Sequence, residues 1–438
     1  MTKPFKKTFL RFKKTRTYQF PRHFLWGSAT SSYQVEGGID RADWTHWEPG
    51  HIKNNDRAGR ACDHFELYEK DFDLAGELGH NAHRLSIEWS RVEPEEGKWS
   101  DEAIEHYRQV LKALHARGIT PMVTLHHFTS PQWLERYGFW GSLQTVDFFS
   151  RYVKKVAEAL LPYCSHWVTI NEPMLVIYFG YMVGTWPPGK TGIRSGISAL
   201  KSVVEAHANA YHILHQEAKK RGLSVSVGLA HHMRINDPDN FSNPLDIWVC
   251  FLRNYFLNSL LPETLHSGFV RPPLGFFKTV PRIRRTQDFI GLNYYARGHV
   301  KFDMKKPGNL FGVDVDREDV LQSSLGWEIY PRGLYRILKY LKHFDLPVYI
   351  TENGIATLDD RVRQKFIHSH LREVAHALKD GVDVRGFFYW SLMDNFEWLE
   401  GFEPRFGLVE IDYRTLERKV RPSARYYQKI CQEGILEL

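Results

Sequence analysis

The stretch HWVTINEP, residues 166–173, has the pattern of a buried β-strand that ends in two polar residues. Aromatic and β-branched side chains form a short apolar run, and Asn171 and Glu172 follow it before Pro173. A carboxylate is costly to remove from water unless it is paired or has a task. The pattern therefore indicates a functional site at the end of this strand.

HWVTINE is one of eight short β-rich runs spread along the chain. Nearly continuous apolar runs are typical of strands in a parallel sheet whose faces are covered by helices. The eight predicted strands are FLWGSAT (24–30), NAHRLSI (81–87), PMVTLHH (121–127), HWVTINE (166–172), VSVGLAHH (225–232), DFIGLNYY (288–295), PVYITENG (347–354) and GFFYWSL (386–392).

Between these runs lie segments whose apolar residues recur at three- and four-residue spacing, as on one face of a helix. Eight strand–helix units favour a barrel over an open doubly wound sheet, whose Gly-rich first turn is absent from the sequence. We predict an α/β protein, a single-domain (β/α)8 TIM barrel with its active site at the C-terminal face of the strands. The stripes are Val153, Val156, Ala157 and Leu160; Leu200, Val203, Val204 and Ala208; Leu334, Ile337, Leu338 and Leu341; and Leu371, Val374, Ala375 and Leu378.

The formal net charge of +7 is concentrated at the N-terminus. Residues 1–16 contain seven of the 58 basic residues and no acidic one, which leaves 51 basic and 51 acidic residues in the remainder. We predict a flexible basic arm over residues 1–20 and the barrel domain over residues 21–438. A tether to an anionic surface and a solvated extension both fit the arm, and the second is preferred. The neutral body argues against nucleic-acid binding.

Composition also bears on location and cofactors. No run approaches the roughly 20 apolar residues of a membrane span, so none is expected. The four cysteines are scattered without Cys-x-x-Cys pairing, which indicates free thiols in the cytoplasm. The pairs His126–His127 and His231–His232 lack a third ligand at usable spacing, so neither a metal nor a cofactor is expected. Monomer and homo-oligomer both remain open.

The ends of the predicted strands carry polar and aromatic side chains almost throughout. Planar amides, carboxylates and imidazoles can each bind neighbouring hydroxyls, while indole and phenol rings cover an apolar sugar face. This inventory is typical of a sugar pocket.

Two carboxylates, Glu172 and Glu352, lie at the ends of the fourth and seventh strands. Cleavage of a glycosidic bond needs one protonated and one ionised carboxyl group. Arg84 and Tyr295 can both approach the seventh strand and keep Glu352 ionised, which predicts that Glu352 is the nucleophile. Glu172 is then the proton donor, which burial and the nearby negative charge keep protonated, and it later acts as the base toward water.

Seven segments between residues 24 and 407 are informative in sequence and in order: FLWGSATSSYQVEG, NAHRLSIEWSRVEP, TLHHFTSPQWL, WVTINEP, DFIGLNYY, YITENG and YWSLMDNFEWLEGFEPRFG. Together they resemble family 1 glycoside hydrolases, the retaining β-glucosidase and β-galactosidase type, in family order. The resemblance implies an exo-acting enzyme that removes terminal β-linked glucosyl, galactosyl or fucosyl residues from small β-glycosides or oligosaccharides through a covalent glycosyl-enzyme.

By the same resemblance, Glu172 is the acid/base and Glu352 the nucleophile. Asn171 would bind the sugar 2-hydroxyl, and Trp390 would form a stacking floor. The remaining ring hydroxyls would be bound by Gln34, His127, Glu397 and Trp398, and the nucleophile would be supported by Arg84, Asn293 and Tyr295.

Two departures from the family pattern affect the expected substrate. Phe128 stands where the family often has Trp, which removes an indole donor and leaves the preferred epimer open. Glu397 is present, and Pro404 and Phe406 replace the Lys and Tyr of a phosphate cradle, so a 6-phosphorylated sugar is rejected. The alternative function is a non-catalytic sugar-binding barrel, which the presence of both carboxylates disfavours.

Overall fold

The computed structural model describes residues 17–438, and its centre is a closed barrel of eight parallel strands. Each strand pairs with the next, and the last pairs with the first through Gly386–Trp390 and Leu25–Ala29. The predicted (β/α)8 barrel and all eight predicted strands are thus confirmed. The strands are β1 (Leu25–Ala29), β2 (Ala82–Ser86), β3 (Thr120–His126), β4 (His166–Asn171), β5 (Ser226–His232), β6 (Phe289–Asn293), β7 (Val348–Asn353) and β8 (Val384–Trp390).

Helices surround the barrel, and each of the four predicted apolar stripes lies on one of them. The residues of these stripes are buried, except for the half-buried Leu378, because the helices cover the outer face of the strands. The α-helices are Ser32–Val35, Asp43–Trp47, His64–Glu77, Trp89–Val92, Asp101–Ala116, Gln144–Leu160, Pro173–Leu175, Ile193–Lys220, Pro244–Asn254, Leu260–Ser267, Pro331–Leu341, Asp360–Lys379 and Pro422–Glu433, with π-helices at Val176–Val183 and Tyr255–Ser259.

A separate apolar cluster fills the inside of the barrel, with one residue from each of β1 to β7 and two from β8. Small and large side chains share this space, which is how a barrel interior packs without a pore. Gly228 illustrates the fit, since a Cβ there would lie 2.6 Å from the carbonyl oxygen of Phe289. Trp390 and Phe406 belong to the same cluster. The strand residues are Ala29, Ala82, Met122, Val168, Ala230, Phe289, Tyr349, Phe388 and Trp390.

The N-terminal boundary of the barrel domain differs from the prediction. Thr17–Gln19 forms an antiparallel ladder with Ile435–Glu437, and Phe20 is buried in the core. Residues 17–20 therefore belong to the folded body and not to the arm, because a neighbouring strand satisfies their backbone groups. The rest of the predicted arm, residues 1–16, lies outside the described residues.

The connections that follow β5 and β6 carry additional strands. Ile235–Pro238, Arg297–Phe302 and Gly312–Val315 form a three-stranded sheet above the ends of these strands. Short ladders also join Phe269–Val270 to Lys278–Thr279 and Val409–Ile411 to Arg418–Val420. Among residues 17–438, no helix has the length and apolar character needed to cross a membrane.

Candidate active site

Glu172 and Glu352 both lie at the C-terminal end of the barrel, where β4 and β7 end. Their residues are 5% and 3% exposed. Glu172 adopts left-handed backbone angles, φ 42° and ψ 51°, and Pro173 begins a short helix directly after it. A residue before proline is disfavoured in the right-handed helical region. The strand therefore ends sharply at Glu172.

Glu352 accepts hydrogen bonds on both of its oxygens. Arg84 Nη1 donates to Oε1 at 2.5 Å, and the hydroxyl of Tyr295 donates to Oε2 at 2.6 Å. Arg84 lies on β2 and Tyr295 follows β6, so three strands converge on this carboxylate. A cation and a phenol that donate together stabilise the ionised form of a carboxyl group.

Glu172 has fewer partners. Asn293 Nδ2 donates to Glu172 Oε1 at 2.7 Å, and Thr351 Oγ1 fixes the amide by donating to Asn293 Oδ1 at 2.6 Å. Within residues 17–438, Glu172 Oε2 receives no hydrogen bond from a side chain. One oxygen of Glu172 is thus held by the protein while the other is free to face a ligand.

Burial raises the pKa of Glu352 to about 7, although Arg84 opposes the increase, and the charge of Glu172 raises it further. The sequence predicts that Arg84 and Tyr295 keep this carboxylate ionised. The contacts are present, but the loss of water and the facing carboxyl group outweigh them. Protonation of Glu172 would remove its contribution and favour the ionised form of Glu352.

Asn171 connects the two carboxylates. Its Oδ1 accepts from Arg84 Nη2 at 2.7 Å and from Asn293 Nδ2 at 3.0 Å, so its Nδ2 must be the donor. That Nδ2 lies 3.2 Å from His127 Nε2. Burial lowers the pKa of His127 well below its usual value. A neutral His127 accepts on Nε2, which leaves its Nδ1–H as a donor without a partner in the described residues.

The opposite side of the pocket is formed by Gln34 and Glu397. Gln34 Nε2 donates to the backbone oxygen of Phe396 at 2.8 Å and lies 3.3 Å from Glu397 Oε2. Burial raises the pKa of Glu397 to about 8, and the charges of Glu352 and Glu172 act in the same direction. At neutral pH Glu397 is therefore mainly protonated and can both donate and accept.

Aromatic rings form the walls between these polar groups. The rings of His127 and Trp390 lie nearly parallel at 5.9 Å, and Trp398 lies nearly parallel to His127 on another side at 6.3 Å. Phe128 and Trp186 pack against Trp398 at 5.0 and 6.3 Å. Rings of this size suit contact with the apolar face of a sugar.

Comparisons with known proteins agree with this geometry. The family model for glycosyl hydrolase family 1 matches residues 16–434. β-Glucosidase A of Thermotoga maritima is 33% identical, over 96% of this chain and 99% of the relative. A solved β-glycosidase structure from Pyrococcus horikoshii is 39% identical, covers 97% of both chains and superposes with a TM-score of 0.89. The chain belongs to glycosyl hydrolase family 1.

Family 1 membership confirms the resemblance predicted from the motifs, and it makes the chain a glycoside hydrolase. Family membership does not support the prediction that 6-phosphorylated sugars are not substrates. A 6-phospho-β-galactosidase of Staphylococcus haemolyticus is 30% identical, over 94% of this chain and 98% of the relative. Relatives of this chain thus include enzymes named for phosphorylated and for unphosphorylated sugars, and the substrate has to be argued from the pocket.

The structure brings all of the predicted site residues into one connected family 1 pocket. Hydrogen bonds link Glu172, Asn293, Asn171, Arg84, Glu352 and Tyr295 in series. His127 accepts from Asn171, and its ring lies nearly parallel to the rings of Trp390 and Trp398. Gln34 donates a hydrogen bond to Glu397. Gln34 is more occupied by the protein than the motif implied, because its Oε1 also accepts from Ser31 Oγ at 2.7 Å. No metal-binding group of three or more His, Cys, Asp or Glu side chains occurs in residues 17–438.

The sequence analysis missed His232, which it considered only as a metal ligand. His232 Nδ1 lies 3.4 Å from Glu172 Oε1 at the end of β5. The adjacent His231 faces the other way and pairs with Gln287 Oε1 at 2.9 Å. Strand alternation was the available signal, since Ala230 lines the barrel interior and His232 is two residues further on the same face.

Proposed function

We propose that this chain is an exo-acting retaining β-glycosidase that works by double displacement through a covalent glycosyl-enzyme. The observation that supports the proposal is that two neighbouring carboxylates have different hydrogen-bond partners. Glu352 is supported by a cation and a phenol, whereas Glu172 has one amide donor and a free oxygen. This asymmetry fits a nucleophile and an acid/base.

In the first step, an ionised Glu352 oxygen forms a bond to the anomeric carbon while the bond to the glycosidic oxygen breaks. Glu172 donates its proton to that oxygen, so the leaving group departs as an alcohol and Glu172 becomes a carboxylate. A single proton on this pair can lie on Glu172 or on Glu352. When it lies on Glu172, both oxygens of the ionised Glu352 accept the hydrogen bonds from Arg84 and Tyr295. Asn293 holds Oε1, so the proton lies on Oε2.

In the second step, Glu172 takes a proton from water as the water oxygen attacks the anomeric carbon. The bond to Glu352 breaks, and the sugar leaves with its original anomeric configuration. Asn171 is the group we assign to the sugar 2-hydroxyl, because its amide is fixed between Arg84 and His127. Its second N–H has no hydrogen-bond partner among residues 17–438. A contact fixed in advance costs little reorganisation in the transition state.

We propose terminal non-reducing β-linked glucosyl residues as the main substrate, with galactosyl or fucosyl residues as further candidates. Gln34 and Glu397 supply amide and carboxyl groups for the distal hydroxyls, beside the Trp398 ring. Gln34 also donates to the backbone oxygen of Phe396 at 2.8 Å, which fixes the orientation of its amide. Aryl β-glycosides of each sugar would rank them by kcat/KM.

We further propose that the sugar is not phosphorylated at position 6. Glu397 is buried beside two other carboxyl groups that raise its pKa. A phosphate there would meet acidic groups, and the buried Phe406 offers no charge to balance it. Equal or better turnover of the 6-phosphorylated aryl galactoside than of the free one would refute this assignment.

The mechanism is tested by trapping the intermediate. A 2-deoxy-2-fluoro β-glucoside with a good leaving group should label the protein, and peptide mapping should place the label on Glu352. A label on Glu172, or inversion of the product configuration by NMR, would contradict the assigned roles. An absence of turnover on a panel of aryl β-glycosides would contradict the proposed substrate class.

The cysteines support a cytoplasmic location, which we propose on the same footing. All four are free and buried. Disulfides persist mainly in oxidising compartments, so four unpaired thiols fit a reducing one. Fractionation of source cells with an antibody to this protein would locate the enzyme.

A further inference from the structure

His232 is a polar side chain beside Glu172 that the mechanism above does not use. Its Nδ1 lies 3.4 Å from Glu172 Oε1, too poorly aligned to count as a hydrogen bond, and it has no other partner in the described residues. The side chain is 17% exposed, and Nδ1 itself is buried. A buried donor without a partner costs free energy, so its position calls for an explanation.

The surroundings restrict how His232 can act. Its ring lies nearly parallel to that of Tyr295, at 6.3 Å and 21°, and Tyr295 donates to Glu352. The Tyr295 ring therefore lies beside the imidazole, whose Nδ1 is 3.4 Å from Glu172 Oε1. A contraction of about 0.5 Å would bring the pair to an ordinary N–H···O distance.

The charge on Glu172 changes during the reaction. Before proton transfer Glu172 is neutral and the single amide of Asn293 is enough for Oε1. After transfer a buried carboxylate remains, and a second donor on Oε1 would stabilise it. The partnerless Nδ1 of His232 lies where that second donor is needed.

We propose that His232 is a positioning residue for the acid/base, which donates from Nδ1–H to Glu172 as the carboxylate forms. The inference rests on the function proposed above. His232 transfers no proton in this step. The proton of Glu172 passes to the glycosidic oxygen, and the hydrogen bond from His232 shortens as the carboxylate forms.

This role predicts a dependence on the leaving group. A poor leaving group needs almost complete proton transfer from Glu172, whereas a dinitrophenolate needs little help. In His232→Leu, kcat/KM should fall about tenfold for glucosides with poor leaving groups, as expected for loss of one charge-assisted hydrogen bond, and should hardly change for the dinitrophenyl glucoside. A purely structural role would lower kcat/KM equally for all leaving groups.

Two further variants isolate the donor. His232→Asn places an amide N–H near the position of Nδ1 and should restore the wild-type leaving-group dependence. His232→Gln places its amide near the position of Nε2 and should behave like His232→Leu, and this Asn–Gln comparison remains decisive if the Leu variant does not fold. His231→Asn is the matched control, since His231 pairs with Gln287 on the other face of the strand.

The outcomes separate the two proposals. If wild type hydrolyses aryl β-glucosides and all four variants share its leaving-group dependence, the role of His232 is refuted and the proposed function stands. If His232→Asn and His232→Gln respond alike, the Nδ1 donor is refuted. If wild type hydrolyses no aryl β-glycoside, the proposed function itself fails.

Discussion

The ends of β4 and β7 each place a glutamate in the same pocket, but different side chains donate hydrogen bonds to the two carboxylates. At β7, Arg84 and Tyr295 each occupy one oxygen of Glu352. At β4, Asn293 occupies one oxygen of Glu172 and leaves the other open. Identical carboxyl groups acquire different chemistry because the strands opposite each of them supply different donors.

The largest expected effect comes from removing the nucleophile. Glu352→Ala should lower kcat on the order of 10⁴-fold or more, because no neighbouring group can replace the bond to the anomeric carbon. Added azide should yield the glycosyl azide of inverted configuration, identified by NMR. A retained azide product would mean that the roles of the two ends are exchanged.

Removal of the acid/base should have a large effect on kcat/KM that depends on the substrate. Glu172→Ala should lower kcat/KM about 10²–10⁴-fold for poor leaving groups and far less for activated aryl glycosides. Azide fits the space left by the carboxylate and should rescue turnover of the activated substrate, with retention. Steady-state rates with and without azide measure this, and failure of rescue would argue against Glu172.

A smaller effect should follow from weakening the support of Glu352. Tyr295→Phe removes one hydrogen bond to a charged group and should lower kcat/KM about 10–100-fold. Because that bond lowers the pKa of Glu352, its loss should move the acidic limb of the kcat/KM profile from near pH 7 to higher pH.

Tyr294→Phe is the matched control, since Tyr294 donates to the backbone of Tyr330 at 2.6 Å, away from the carboxylates. Its acidic limb should coincide with that of wild type. A shift of equal size in both variants would show that Tyr295 acts through packing.

The smallest effect concerns stability and tests the third buried carboxyl group. The pKa of Glu397 is about 8 in the folded protein against an ordinary 4.5, so its protonated form favours the folded state. The free energy of unfolding should therefore fall as pH rises from about 4.5 to about 8. Glu397→Gln cannot ionise, so its denaturation midpoint should fall less over this range.

Glu400→Gln serves as the control for this experiment, because Glu400 lies in the same loop with 46% of its side chain exposed. It should keep the pH dependence of wild type. If Glu397→Gln also keeps it, the raised pKa of Glu397 has no part in stability.

Much of the fold and site could be predicted because strand patterns and strand-end residues are local. HWVTINE and PVYITENG identified both carboxylates through the rule that barrel strands present their functional groups at one face. The pKa of Glu352 could not be predicted in this way, since it depends on how completely the pocket excludes water. The end of the predicted arm was wrong because residues 17–20 are held by a strand at the opposite end of the chain.

The amino-acid sequence by itself determined the eight strands, their covering helices and the two carboxylates. Side-chain periodicity and the residues at strand ends are local features that a short segment of sequence contains in full. Only the tertiary structure decided which donors meet which carboxylate. Arg84, Asn293 and Tyr295 come from distant parts of the chain, and His232 appeared in the sequence as one of two similar histidines. Barrel closure brings their atoms to between 2.5 and 3.4 Å of a carboxylate, and hydrogen-bond chemistry depends on those distances.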